Sequence, residues 1–173
     1  MLSELIANRR SCRKFTDEAV SAEDIMQLKR AALMSPTSKN CRSWEFVFVQ
    51  DPATIDALAH SKEMGAAFVT NAKLAIVVFG NKEKSDIWVE DASIAASFLL
   101  LQAQDLGLGA TWVQLRERGF ADGRKAKDIV AELLGAPANL EPLAIVAVGH
   151  PAESHRPYSD DRLPWAQVHD EKF

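Results

Sequence analysis

Apolar residues recur along this chain with two periods, and the switches between them mark its elements. Leu2, Leu5 and Ile6 have the spacing of a short helix ahead of a basic run. Ser21, with Asp24 three residues on, predicts a capped helix start. Ile25, Leu28, Ala31 and Ala32 then continue one apolar face until Pro36 stops it. Trp44 to Gln50, rich in aromatic and β-branched residues, reads as a strand. Asp51-Pro52 pairs a cap with proline at the first helical position, and Ile55, Leu58 and Ala59 form the buried side of that helix. Leu74 to Gly80 is an apolar run of strand length, apolar enough to be covered on both faces. Ala92 to Leu106 is helical and apolar nearly all round, the pattern of a central or interface helix, and Gly107 and Gly109 end it. Ala110 to Gln114 is a short strand, Arg124 to Leu134 an amphipathic helix closed by Gly135, and Leu143 to Gly149 the last core strand. Beyond Pro151 the chain turns polar, yet Leu163, Trp165, Val168 and Phe173 follow with little of their own domain to pack on. A tail that embraces a partner subunit would bury them. Four strands interleaved with four or five helices, without repeat or linker, read as one α/β-type domain over residues 1–173.

Composition narrows the class. With 173 residues, 47% of them hydrophobic and 25% charged, the chain can build a core of its own and is not a disordered one. A net charge of −4 disfavours a nucleic-acid binder. Two cysteines, Cys12 and Cys41, make no disulfide scaffold. Arg9-Arg10 follows the first apolar residues instead of preceding them, unlike an export signal. Ser93, Ser97 and Gln102 interrupt the longest apolar stretch, which is too short for a bilayer. The expectation is a cytoplasmic protein.

Three segments carry candidate chemistry. Asn8-Arg9-Arg10-Ser11-Cys12-Arg13-Lys14-Phe15 sets four cations and a hydroxyl within six residues of an acidic protein. Guanidinium forks suit phosphate oxygens, although such a run also fits a solvated turn. Ser35 to Trp44 offers short polar groups at Thr37, Ser38 and Asn40 that could hold a polar heterocycle, or merely stop a helix. Gly107-Leu108-Gly109 follows a helix, lacks the dinucleotide spacing, and by itself ends that helix. No phosphate-binding Walker pattern, nucleophile elbow or metal-ligand spacing occurs, and the four histidines are scattered. Cations flank Cys12 and could lower its pKa.

Taken in order, these pieces resemble the FMN-dependent nitroreductase family. Arg9-Arg10-Ser11-Cys12-Arg13-Lys14-Phe15 is similar to its opening R-R-S-x-R-x-F, and Ser35 through Phe46 to its A-P-S-x-x-N-x-Q-P-W-x-F loop and strand. Asp91, the apolar helix and Leu106 to Trp112 resemble its central helix and G-L-G turn. Ala147 to Pro151 resembles its A-x-G-Y-P, and Asp161 to Phe173 its ending. The resemblance covers nearly the whole chain. It departs at Arg42-Ser43, where Gln-Pro is common, at Gln114-Leu115, where a glycine-containing pair often closes over the flavin, and at His150, which replaces Tyr.

The resemblance implies an α+β fold: a central, mostly antiparallel sheet flanked by helices, in an interlocked homodimer whose C-terminal tail extends over the partner. It implies two FMN sites at the interface. Arg9, Ser11 and Arg162 would hold the phosphate, with Arg10 either assisting or facing solvent. Arg13 would lie at the ribityl chain and pyrimidine edge, where a cation favours flavin reduction. Pro36, Thr37, Ser38 and Asn40 would reach the flavin from the partner, and Gly149 and His150 would also touch it. No catalytic acid or base is implied. NADH or NADPH would pass a hydride to flavin N5 and leave, and a nitroaromatic, quinone or similar acceptor would follow by a ping-pong scheme. Trp44, Trp88 and Trp112 are aromatic candidates beside that slot; core packing is the alternative for each and the favoured reading for Trp44. The alternative is a non-catalytic FMN-binding module, a flavin store or sensor on the same fold.

Overall fold

The computed structural model describes Met1–Phe173. Its helices are α1 (Leu2–Asn8), α2 (Ala22–Leu33), α3 (Pro52–Ala59), α4 (Trp88–Asp105) and α5 (Ala126–Leu133). Its strands are β1 (Trp44–Val49), β2 (Leu74–Asn81), β3 (Gly109–Gln114) and β4 (Leu140–Gly149). The caps read from sequence form. The Ser21 hydroxyl accepts from the Asp24 N–H at 3.0 Å, and the Asp51 carboxylate accepts from the Thr54 N–H at 2.8 Å.

All four strands join one sheet in the order β1-β2-β4-β3, and every neighbouring pair is antiparallel. The α/β reading that interleaved strands and helices suggest therefore gives way to α+β. Interleaving tells which elements alternate along the chain, not which way a returning strand runs. The two middle strands are buried along almost their whole length. Their side chains alternate between two layers. Leu74, Ile76 and Val78 of β2, with Val146 and Val148 of β4, face α2 and α4. Ala75, Val77 and Phe79, with Ile145 and Ala147, face α3 and α5. A bulge at Leu143, beside Pro142, shifts the β2–β4 register between Val78 and Phe79.

α4 is the backbone of the first layer. Ala92, Ala95, Ala96 and Ala103 are fully buried and small, so the helix lies close on the sheet, with Leu99 filling the middle. Burying a leucine of that size stabilises by roughly 1.5–3 kcal/mol. The apolarity is not spent inside the chain all round. Ile94 and Phe98 form an outward stripe, each about 40% exposed. Gly80 of β2 faces Trp88 at the start of α4, and a methyl group there would fall inside the indole. We expect Gly80→Ala to cost about 1–3 kcal/mol of stability by overpacking, as a lower midpoint in urea unfolding.

α1 forms as its spacing predicts but buries none of its residues. The tail from Ala152 onward has only one-turn helices at Asp160–Arg162 and Trp165–Gln167. The Tyr158 N–H ties it to the Ala7 carbonyl at 2.8 Å. Trp165, Val168 and Phe173 stay exposed. No helix is long and apolar enough to cross a membrane.

Candidate functional site

α1 ends at Arg9, whose extended backbone launches a short arm along the outer edge of β3. Ser11 bridges to Ala110, and the Cys12 N–H donates to the Ala110 carbonyl at 3.0 Å. The Thr111 hydroxyl donates to the Cys12 carbonyl. Phe15 then pairs with Pro151, so the arm also runs beside the end of β4. Alternation along the arm sends Cys12 inward against Gly109, a glycine because a side chain there would strike the thiol. Burial pushes the Cys12 thiol above its usual pKa. The Lys14 carbonyl hydrogen bond lowers it, Glu153 raises it and Arg13 lowers it, and the net direction is up. Arg13 does lower it, as the flanking cations suggested, but burial outweighs that charge, so the expected lowering does not result. Cys12 is a packing residue.

The cations point outward. The Arg10 Nη1 donates to the Arg156 carbonyl at 2.6 Å, and its guanidinium lies 4.7 Å from the centre of the Tyr158 ring. Arg10, Tyr158 and Arg162 line one small cleft, while Arg9, Tyr158, Asp160 and Leu163 line the next. Tyr158 is the shared wall that gathers Arg9, Arg10 and Arg162, although Arg162 is about 150 residues away in sequence. The Arg13 guanidinium lies 5.8 Å from the Phe68 ring. None of these four guanidinium groups has a carboxylate within ion-pair distance. Lys14, by contrast, pairs with Glu153 at 2.9 Å and Lys73 with Asp17 at 2.9 Å. Gly149 is buried under Phe15, whose ring crowds the place a side chain would occupy. The His150 Nε2 lies 3.7 Å from Glu18.

The second segment, Ser35 to Ser43, is held from the other end of α4. Asp91, in the first turn of that helix, is only 2% exposed. Its carboxylate accepts from the Ser38 N–H at 2.8 Å, the Ser43 hydroxyl at 2.7 Å and the Cys41 thiol at 3.3 Å. Burial raises the carboxyl's pKa. The hydrogen bonds from Ser43, Ser38, Cys41 and Ser85 together outweigh burial and hold it below the usual range. Anchored this way, the loop keeps Lys39, Asn40 and Arg42 in the left-handed region, at φ of 49°, 54° and 47°. Side-chain residues there cost about 1–3 kcal/mol each, strain that clusters at binding sites. The Arg42 N–H donates to the Thr37 hydroxyl at 3.0 Å, and the Asn40 Oδ1 accepts from Arg42 Nε at 3.2 Å. The Thr37 and Ser38 hydroxyls and the Asn40 NH2 are left to donate elsewhere.

The two segments do not meet within one chain. The arm borders a cleft with Gln104, Gly107 and Gly109, at the far end of α4 from Asp91. Asp91 and Gln104 are thirteen residues apart, about 20 Å along the helix.

Sequence reading gave Asp91 no role of its own. Its signal was an acid opening an otherwise apolar helix. Lys62 was missed altogether. Its ammonium is half-buried and donates to the Gln114 carbonyl at 2.9 Å. Of the tryptophans, Trp44 and Trp88 are buried, while Trp112 is half-buried with its Nε1 on Gln114 Oε1 at 2.8 Å. No cluster of residues suits a metal ion.

Comparison with known proteins shows which family combines this α+β sheet with a basic arm and a polar loop. The sequence model of the Nitroreductase family matches residues 6–66 and 57–150. A protein of Archaeoglobus fulgidus assigned the name NADH dehydrogenase/NAD(P)H nitroreductase is 32% identical over 98% of this chain and 97% of its own. The solved FMN-dependent nitroreductase of Clostridium difficile R20291 superposes with a TM-score of 0.95 at 39% identity, covering 98% of each chain. A nitroreductase homologue of Desulfovibrio desulfuricans, solved in complex with FMN, gives 0.79 at 30% identity over 99% of this chain and 97% of its own. The chain belongs to the nitroreductase family.

Proposed function

We propose that this protein is an FMN-dependent NAD(P)H oxidoreductase that works as a cytoplasmic homodimer, with each flavin held by residues of both chains. The observation that carries the reading is the separation of the two binding segments along α4. A two-fold axis laying one α4 antiparallel on another brings the Ser38 end of one chain to the Gly107 end of its partner. The apolar stripe of Ile94 and Phe98 supports that packing. So does the apolar groove of about 430 Å³ that Leu2, Leu5, Ala31, Phe98 and Leu101 line. The exposed tail, with Trp165 and Val168, would cross onto the partner.

The donor set fits FMN. A phosphate dianion takes about two cations and several neutral donors, and Arg9, Arg10, Arg162 and the Ser11 hydroxyl offer them unpaired. FMN held there would supply the redox chemistry, hydride transfer between a nicotinamide donor and a nitroaromatic, quinone or similar acceptor. Arg13 would set positive charge at the pyrimidine edge, where reduction builds negative charge. Thr37, Ser38 and Asn40 would donate to the polar rim from the partner, with Pro36 packing beside them. Gly149 offers only backbone, and His150 would border the site beside Glu18.

Arg9→Ala with Arg13→Ala is expected to strip FMN from the purified protein while leaving the circular dichroism unchanged, since Arg13 is exposed and neither side chain is ion-paired. Absorbance near the flavin bands, with the released ligand identified by mass, checks it. A double variant with its full complement of flavin overturns the clamp. Oxidation of NADPH or NADH with a quinone separates the enzyme from a flavin store, which would bind FMN without turnover.

A further inference from the structure

Between β3 and α5 the chain makes a hairpin that the flavin site does not use. Gly119 bridges to Lys125, the Phe120 N–H donates to the Arg124 carbonyl at 2.9 Å, and the Ala126 N–H to the Arg118 carbonyl at 2.8 Å. Its geometry is tightly constrained. Gly119 has no room for a side chain against Arg124, Gly123 sits at φ +93°, and Glu117 is left-handed at φ 57°. The hairpin encloses a cleft of about 240 Å³ whose walls are mostly charged. Arg118, Arg124, Lys125 and Lys127 line it against one acid, Glu117, in a protein whose net charge is −4.

Two of these cations are neutralised: Arg124 by Asp122 at 2.9 Å and Lys127 by Glu141 at 2.8 Å. Two are not. Arg118 donates only to the Glu117 carbonyl, at 2.8 Å, and Lys125 has no carboxylate within ion-pair distance. Arg118's field reaches its neighbour. Burial first, and then the Arg118 charge, push the Lys62 ammonium below its usual pKa. The cleft also has a flat face. The Arg124 guanidinium lies 4.3 Å from the centre of the half-buried Phe120 ring, and Asp122 fixes its orientation. An oriented guanidinium over an aromatic ring is a surface on which a purine stacks. Free cations beside a stacking surface suit a phosphorylated adenosine.

The resemblance sets Gln114 where a glycine-containing pair often closes over the flavin, and the cleft is tied to that residue. Arg118 is four residues beyond Gln114, at most about 14 Å along the chain. Lys62 grips the Gln114 carbonyl, and the Glu63 N–H donates to the Gly119 carbonyl at 3.3 Å.

We propose that this cleft seats the 2′-phosphoadenosine end of the electron donor, with Arg118 and Lys125 on the 2′-phosphate and the Arg124–Phe120 stack under the adenine, so that the enzyme selects NADPH over NADH. The inference rests on the oxidoreductase reading above and decides what that reading left open.

The test is Arg118→Ala with Lys125→Ala, two exposed side chains whose removal leaves the hairpin's backbone bonds in place. At fixed ionic strength, the unaltered enzyme is expected to favour NADPH by about tenfold or more in kcat/KM. The double variant should bring that ratio close to one, through KM for NADPH and not kcat. Adenosine 2′,5′-bisphosphate should compete with NADPH far better than AMP. Equal use of both donors by the unaltered enzyme overturns the proposal, as does an equal loss for both in the variant. Inhibition by inorganic phosphate as strong as by the bisphosphate also overturns it, since the cleft would then be a bare anion patch. If the protein oxidises neither donor, the oxidoreductase reading is what has failed. Calorimetric titration with adenosine 2′,5′-bisphosphate then still decides the cleft: binding lost in the double variant supports it, and no binding to the unaltered protein overturns it.

Discussion

Asp91→Ala is expected to lower the unfolding free energy by about 2–4 kcal/mol and to release FMN along with it. The substitution leaves three donors, the Ser38 N–H, the Ser43 hydroxyl and the Cys41 thiol, facing an empty acceptor site. Ser43 is fully buried, so water cannot readily replace the lost partner. The left-handed residues Lys39, Asn40 and Arg42 lose the anchor that holds them in strained backbone. Urea unfolding at neutral pH measures the first effect and flavin absorbance the second. A pH series separates the charge from the packing. The folded state holds the Asp91 carboxyl below its usual pKa. The stabilisation it contributes is therefore complete above the unfolded value, about 4, and is lost as pH falls through the folded one. Asp91→Asn, close in shape, should remove that portion of the acid limb and leave a flatter stability profile below about pH 4. An Asp91→Ala protein of unchanged midpoint, still yellow with flavin, would show that the loop does not depend on this carboxylate.

Phe98→Glu is expected to split the dimer and, with it, the flavin site. Phe98 is 39% exposed in the single chain, so the chain should keep its circular dichroism. In an antiparallel α4 pair the same position meets its own copy or a near neighbour. A carboxylate buried there without a partner costs about 3 kcal/mol or more, roughly a hundredfold in the dimer constant. Sedimentation equilibrium should show a monomer, and the protein should purify with little FMN because neither chain alone brings Arg9 and Ser38 to one cofactor. A monomer that retained stoichiometric FMN would place the whole site in one chain and remove the basis of the dimer reading.

Much of the fold is legible in the sequence because its cues are local. Ser21 and Asp51 are side chains that cap the helices following them, and Pro36 and Gly135 act within one turn. The apolar runs at Leu74 and Leu143 become the two buried middle strands, since nothing polar in them could face water. Strand direction was legible only through the family resemblance, which implied a mostly antiparallel sheet, and not in the residue pattern. Residue pattern says that a strand is covered on both faces, not that its neighbour returns antiparallel. The motifs were legible as chemistry, and less so as neighbours. Arg10 and Arg162 share a cleft because Tyr158 docks the tail on α1, a contact between Tyr158 and Ala7 that no spacing encodes. Asp91 looked like the first residue of a helix because its three partners are about 50 residues upstream.

The sequence by itself determined where helices and strands lie, which faces are apolar, and which residues can bind an anion or a polar ring. Those properties depend on neighbours within a turn or a strand. The tertiary structure decided the rest: that Cys12 is buried and held as a thiol, that Asp91 organises the Ser35–Ser43 loop, and that the hairpin after β3 gathers free cations beside an aromatic face. It also set the basic arm and the polar loop at opposite ends of α4. Burial, unpaired charge and separation in space arise only when distant segments pack, and each is a property of the surroundings, not of the residue.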